Sequence, residues 1–251
     1  MYEDLKGKAA IVTGAGRGIG EAIARSLASN GAKVLVADVS GDEKAVAESI
    51  GGDARAHSVD ISSPESVEAM VAAAVEHYGT VDILVNNAGI DGGYAAAADC
   101  SIENFDKTVA INLRGTFLGL HYTLPVMLKK GSGAVVNVSS LAGVMPFPGM
   151  MAYSTTKSGI LGMTRCAAAD HSRQGVRVNA VLPGVIETPM YTNLQEALPD
   201  VHAALAFQAT LTPLGRSGTG EEVANVVTFL ASDASSYLTG QSVKIDGGIS
   251  G

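Results

Sequence analysis

Seven short apolar runs recur along this chain, each separated from the next by enough residues for a helix or a loop-and-helix unit, and that alternation constrains the fold more than any other feature. The runs are AAIVT at 9–13, KVLVAD at 33–38, HSVD at 57–60, VDILVN at 81–86, GAVVNVSS at 133–140, VRVNAVLP at 176–183 and SVKID at 242–246. All but the shortest lack the in–out alternation of a strand with one wet face, so both faces of the sheet they form must be covered. Helices above and below a parallel sheet meet that demand, with right-handed crossovers between successive strands. The expected class is therefore α/β, a doubly wound sheet of seven parallel strands with helices on both faces. Ser63 before Pro64 and Glu65 reads as an N-cap with a favoured first-turn proline, which predicts a helix to about His77. Residues 103–130 and 152–173 predict two more.

The chain has 251 residues, 47% apolar and 17% charged, enough to bury such a sheet as a single domain over residues 1–251. The irregular stretch is 187–217, which holds three of the eight prolines. It is too long for a plain connection and is expected to be a substrate lid, although its apolar residues would also serve to pack it on the sheet. The formal charge is −8, and Lys129–Lys130 is the only adjacent basic pair, which argues against a nucleic-acid partner. The start MYEDLKGK lacks the apolar core of a secretory signal, and no window is apolar enough to span a bilayer, so a soluble cytoplasmic protein without a membrane partner is expected. Cys100 and Cys166 stand far apart and read as small apolar fillers in a reducing compartment. The five histidines, at 57, 77, 121, 171 and 202, form no HxxxH pair, and no metal is expected.

Chemistry enters where the first run passes directly into TGAGRGIG at 13–20, followed by a helix-like segment. Glycines there let backbone approach a pyrophosphate, and the next helix offers free N–H groups and a positive dipole to it. Gly14, Arg17, Gly18, Ile19 and Gly20 are thus expected to bind a dinucleotide, although the spacing is GxxxGxG rather than GxGxxG. Asp38 ends the second run, twenty positions after Gly18, where a carboxylate accepts hydrogen bonds from the adenosine ribose and repels a 2′-phosphate. With Val39 next rather than a basic residue, the expected cofactor is NAD(H). Arg17 is the one contrary feature, since it can meet either a 2′-phosphate or the pyrophosphate.

Tyr153 and Lys157 lie four residues apart in AYSTTKSG, with Ser140 thirteen positions before the tyrosine. On one helix face a phenol and an ammonium come within reach. The ammonium is expected to lower the phenol's pKa toward the working pH of a general acid/base, with Ser140 holding the substrate oxygen.

TGAGRGIG, NNAG at 86–89, Asn112, Ser140, Tyr153-x-x-x-Lys157 and Pro183–Gly184 occur in the order of the short-chain dehydrogenase/reductase family, which the whole chain resembles. The resemblance implies a Rossmann fold, with Tyr153 as acid/base, Lys157 on the nicotinamide ribose, Ser140 orienting the carbonyl or hydroxyl, and Asn112 holding a water that relays protons from Lys157. Of the two adjacent serines, Ser140 rather than Ser139 has the family's spacing to the tyrosine. It also implies that Asp60 and Ile61 contact adenine, that Asn87, Ala88 and Gly89 line the ribose and nicotinamide side, and that Ile186 and Thr188 hold the carboxamide. Asp60 would equally serve as a solvated strand end. A homotetramer built through the flanking helices is implied as well.

The substrate oxygen would lie between Ser140 and Tyr153. Ile90 to Tyr94, Leu141, Met145, Phe147, Met150, Gly184 and Met190 would flank the reacting carbon, with Leu194, Leu198, Leu205 and Phe207 on the lid. Most are apolar and none is an arginine, which points to a neutral hydrophobic secondary alcohol or its ketone, cyclic ones included. The competing readings are a 3-oxoacyl-carrier-protein reductase, with Lys129 and Lys130 docking the carrier, and a catalytically silent NAD(H)-sensing protein.

Overall fold

Strand β1, Ala9–Thr13, is buried along its whole length, and the sheet grows outward from it. The computed structural model describes residues 2–188, 210 and 212–250. Strands β2 (Lys33–Asp38), β3 (Arg55–Ser58), β4 (Ile83–Asn86), β5 (Gly133–Val138), β6 (Val176–Pro183) and β7 (Ser242–Ile245) complete a seven-stranded parallel sheet in the order β3-β2-β1-β4-β5-β6-β7. After β3 the chain returns to pair β4 on the other side of β1, and this reversal opens a crevice at the carboxyl ends of β1 and β4.

Helices cover both faces, as the apolar runs require. Ile11, Leu35, Leu84, Val135 and Val178 point to one face, against α3 (Pro64–Tyr78) and α5 (Gly115–Lys130) through Val67, Met70, Leu118 and Met127. Val12, Val36, Val85 and Val181 point to the other, against α1 (Gly18–Ser29) and the helix Gly220–Ala231 through Ile23, Leu27, Val223 and Val227. The period-two alternation of the strands therefore feeds two cores rather than one core and water. The helix Glu43–Ile50 is α2, Ile102–Thr108 is α4, Met151–His171 is α6 and Gly220–Ala231 is α7. Ser63 caps α3 by accepting from the Ser66 N–H at 3.2 Å, and Pro64 opens it.

Three local expectations change. β3 lies at Arg55–Ser58, two residues before the expected run, because an edge strand of mostly exposed side chains is placed by its backbone pairing to β2 and not by an apolar face. β4 and β5 are shorter than expected, so Ser139 and Ser140 fall beyond the strand end. The single helix expected over 103–130 is α4 and α5 joined by a π-helical segment, Val109–Arg114, which holds Asn112. Most of the irregular stretch, including Met190, Leu194, Leu198, Leu205 and Phe207, lies outside the described residues.

Beneath the crevice, Asn86 and Asn137 sit opposite each other on β4 and β5. Asn86 Nδ2 donates to Asn137 Oδ1 at 2.9 Å, and Asn137 Nδ2 donates to Thr164 Oγ1 at 3.0 Å. All three side chains are buried. Asn137→Ala should leave a donor on Asn86 and an acceptor on Thr164 unmatched, at a cost of about 1–3 kcal/mol. A lower urea midpoint with an unchanged slope is the expected reading.

Candidate active site

At the carboxyl end of β1 the chain turns through Gly14, at φ 63°, into α1. A Cβ on Gly14 would stand 2.7 Å from the Ala88 Cα, and one on Gly20 would overlap the Gly14 carbonyl. Glycine is needed at both positions for the loop to close this tightly. Asn87 laces the loop to β4, its Nδ2 donating to the carbonyls of Thr13 at 2.9 Å and Gly14 at 3.1 Å. Thr13 Oγ1 accepts from the N–H groups of Asn87 and Ala88, both at 3.1 Å. Thr13 and this interlacing are scaffold that sequence reasoning missed, although Thr13 opens the glycine motif.

The result is a cleft of about 370 Å³. Gly14, Arg17, Gly18, Ile19, Gly20, Asp38, Asp60, Ile61, Asn87, Ala88, Gly89 and Thr188 all lie on its wall, joined by Val39, Ser40, Val59, Ile90, Asp91 and Ile111. Val59 and Ile111 had no signal beyond their apolar character. Pro183, Gly184 and Ile186 are placed differently. Pro183 pairs with Ile245, the Gly184 N–H donates to the Ile245 carbonyl at 2.9 Å, and the Ile186 side chain is buried in the core beside α7. These three lie at and just beyond the end of β6, beside β7 and α7. Asp60 also does structural work, its Oδ1 accepting from the Ser62 N–H at 2.9 Å and hydroxyl at 2.7 Å.

The wall suits a dinucleotide. The first turn of α1 has no side-chain cap, so its N–H groups face the cleft mouth beside the exposed Arg17. Asp38 also lies on this wall. Its Oδ2 accepts from the Gly16 N–H at 2.9 Å, and its Oδ1 accepts from those of Val39 at 2.8 Å and Ser40 at 2.9 Å. Burial alone would push this carboxyl up, but the bonds from Gly16, Ser40 and Val39 outweigh it and hold the pKa below the ordinary value. Asp38 is thus a fixed anion at neutral pH, next to a Val39 that is 70% exposed.

α6 presents Tyr153 and, one turn later, Lys157, whose Nζ lies 5.5 Å from the centroid of the Tyr153 ring and beside Gly89 of the cleft wall. Lys157 is 4% exposed, and its Nζ donates to the Val138 carbonyl at 2.9 Å. Ser140 caps the short turn Leu141–Gly143, with its Oγ accepting from the Ala142 N–H at 3.1 Å, and its hydroxyl lies near enough to the Tyr153 phenol to influence its titration. The adjacent Ser139 is buried and donates to the Lys157 carbonyl at 2.8 Å, which ties β5 to α6. Gly89 separates Lys157 from Asn112: a Cβ there would be 3.1 Å from Asn112 Oδ1 and 3.6 Å from Lys157 Nζ.

The Asn112 side chain acts as a clamp. Its Oδ1 accepts from the Ile90 N–H and its Nδ2 donates to the Ile90 carbonyl, both at 2.8 Å, and Nδ2 also reaches Thr156 Oγ1 at 3.3 Å. Both amide protons are committed, so a relay from Lys157 would have to pass by Oδ1 or the backbone. Met145 and Met150 stand between the Leu141–Gly143 turn and α6. Met150 pairs with Ala95 in an isolated bridge, which joins that stretch to the segment after Gly89.

The expected depression of the Tyr153 pKa is not observed. Burial pushes the phenol up to about 12; hydrogen bonding from Ser140 opposes this, while Tyr94 and Asp91 add to it. Lys157 is pushed down to about 8 by burial. The dense surroundings disfavour both charged forms, and the ammonium is turned to the Val138 carbonyl, so proximity alone does not make the phenol acidic.

A family model described as enoyl-(acyl carrier protein) reductase matches residues 14–250. The chain is 37% identical to the cyclohexanol dehydrogenase of Acinetobacter sp. (strain SE19) over 251 residues, covering 98% of this chain and 96% of that one. It is 39% identical to a 3-oxoacyl-[acyl-carrier-protein] reductase of Thermotoga maritima over 249 residues, covering 98% of each. The crystal structure of a levodione reductase superposes with a TM-score of 0.93 at 37% identity, covering 96% of this chain and 97% of that one.

Proposed function

The chain belongs to the short-chain dehydrogenase/reductase family, and from that premise we propose that it interconverts a neutral, hydrophobic secondary alcohol, cyclic ones included, and its ketone with NAD(H). The observation that carries this reading is the cluster of Ser140, Tyr153 and Lys157, with the Lys157 ammonium beside Gly89 of the cleft wall, together with the ionised Asp38 on that same wall. The bound nicotinamide supplies or accepts the hydride. For reduction, the neutral Tyr153 phenol donates its proton to the carbonyl oxygen while the Ser140 hydroxyl fixes that oxygen. Lys157, one helical turn away with its ammonium 5.5 Å from the ring centroid, would lend its positive charge to the phenolate left behind. With the phenol pushed up to about 12, it carries its proton at pH 7, which is the form reduction needs. Oxidation needs the phenolate, so its rate gains as pH rises.

Ile90 on the wall, next to Gly89 and held by Asn112, favours an apolar body on the substrate. The carrier-protein reading would use Lys129 and Lys130 as a docking pair, but Lys130 is engaged in an ion pair with the buried Asp82. The exposed Phe117 ring, stacked on His121 on α5, is a surface on which a homotetramer would assemble.

Initial rates with NADH and NADPH on cyclohexanone test the assignment. Repulsion between Asp38 and a 2′-phosphate should give a preference for NADH of about a hundredfold in kcat/KM, and Asp38→Ala should erase most of it. A parent enzyme that prefers NADPH refutes the NAD(H) reading.

A further inference from the structure

The substrate side of the cleft carries one group that an apolar lining does not explain. Asp91 lies on the wall with Gly89, Ile90 and Thr188. Its backbone is held on three sides. Ile90 is gripped by Asn112, the Gly92 carbonyl accepts from Asn104 Nδ2, and the Ala95 N–H donates to the Gly149 carbonyl at 2.9 Å, just ahead of the helix that carries Tyr153. Among the described residues the carboxylate itself has one long hydrogen bond, from the Gly93 N–H to Oδ1 at 3.2 Å. Among the described residues it forms no ion pair. A carboxylate offers about four acceptor sites, so among the described residues most of this one's capacity is unclaimed. Its charge reaches the chemistry: after burial, it is Asp91 that raises the Tyr94 phenol, and it adds to the rise at Tyr153.

We propose that Asp91 is a specificity-determining residue, which turns anionic substrates away and accepts a hydrogen bond from a second hydroxyl on a neutral one. The preferred substrates would then be diols and hydroxyketones rather than simple alcohols or hydroxy acids. This rests on the oxidoreductase reading above and deepens it. The physical basis is that like charges brought together in a partly dehydrated wall repel strongly, while a carboxylate acceptor gains a charge-assisted bond from a hydroxyl.

Binding of ketones to the enzyme–NADH complex, read as the stopped-flow change in nicotinamide fluorescence that precedes any turnover, tests the proposal. The probes are cyclohexanone, 4-hydroxycyclohexanone and 4-oxocyclohexanecarboxylate, with the parent, Asp91→Asn and Asp91→Leu. The parent should bind the carboxylate at least about tenfold more weakly than cyclohexanone, and Asp91→Asn should close most of that gap. Asp91→Leu should remove a preference of about tenfold for the hydroxyketone, which Asp91→Asn, still an acceptor, should partly keep. Affinity ratios that are the same in all three proteins overturn the proposal, and so does a parent complex that binds none of the ketones. Ratios that move as expected in a protein that reduces none of the three would leave Asp91 as the selecting residue and sink the oxidoreductase reading instead.

Discussion

Tyr153→Phe should bind NADH as the parent does and lose turnover by at least about a hundredfold, the scale on which general acid/base groups act. The substitution removes one oxygen and keeps the ring. The Lys157 ammonium retains the aromatic face 5.5 Å away, Ser140 keeps its bond from the Ala142 N–H, and Thr156 keeps its bond to the Tyr153 carbonyl at 2.7 Å. The loss should therefore fall on kcat while the Michaelis constant moves little, the pattern for a group whose interaction matters in the transition state. It should be larger for oxidation at high pH, because the parent gains phenolate there as pH approaches its pKa of about 12 and the variant has none to gain. Undiminished turnover in either direction would remove Tyr153 from the mechanism and with it the proposed function. A melting temperature close to the parent's would show that the loss is chemical and not structural.

The layered sheet and one end of the site were legible in the chain because their determinants are local. β1 runs directly into the glycine loop, so strand, turn and helix N-terminus are contiguous, and Asp38 closes the next strand along. Tyr153 and Lys157 share a helix face by spacing alone. What sequence could not supply depends on distant residues meeting. Asn86, Asn137 and Thr164 become one network only through the register of β4 on β5 and the seating of α6. The π-helical segment that aims Asn112 at Ile90 differs from α-helix by one residue per turn, which leaves no mark in an apolar pattern. Asp91 sat inside a stretch read as apolar, and its weight appears only once the wall is closed around it. The direction of the Tyr153 shift was misjudged for the same reason, since pairwise charge is readable from spacing and burial is not.

Lys157→Met should make the cofactor-free protein more stable at neutral pH while lowering turnover by about a hundredfold or more, the usual effect of losing one fixed electrostatic stabiliser. The lysine is 4% exposed and makes one hydrogen bond, to the Val138 carbonyl, so its ammonium is held largely away from water. Its folded pKa of about 8 lies below the ordinary 10.5. Below pH 8 the group is charged in both folded and unfolded chains, and burying that charge costs roughly 3 kcal/mol at 1.36 kcal/mol per unit. Between about 8 and 10.5 the folded protein releases the proton while the unfolded chain still holds it, so the penalty fades and stability rises with pH. Methionine fills the same channel without the charge, and exchanges of this kind are commonly stabilising. Urea unfolding at pH 7 should show a gain of about 1–3 kcal/mol for the variant, shrinking by pH 10 as the parent catches up. A variant that is less stable than the parent at pH 7, or a parent whose stability does not rise above pH 8, would mean that the ammonium is not held against a desolvation cost.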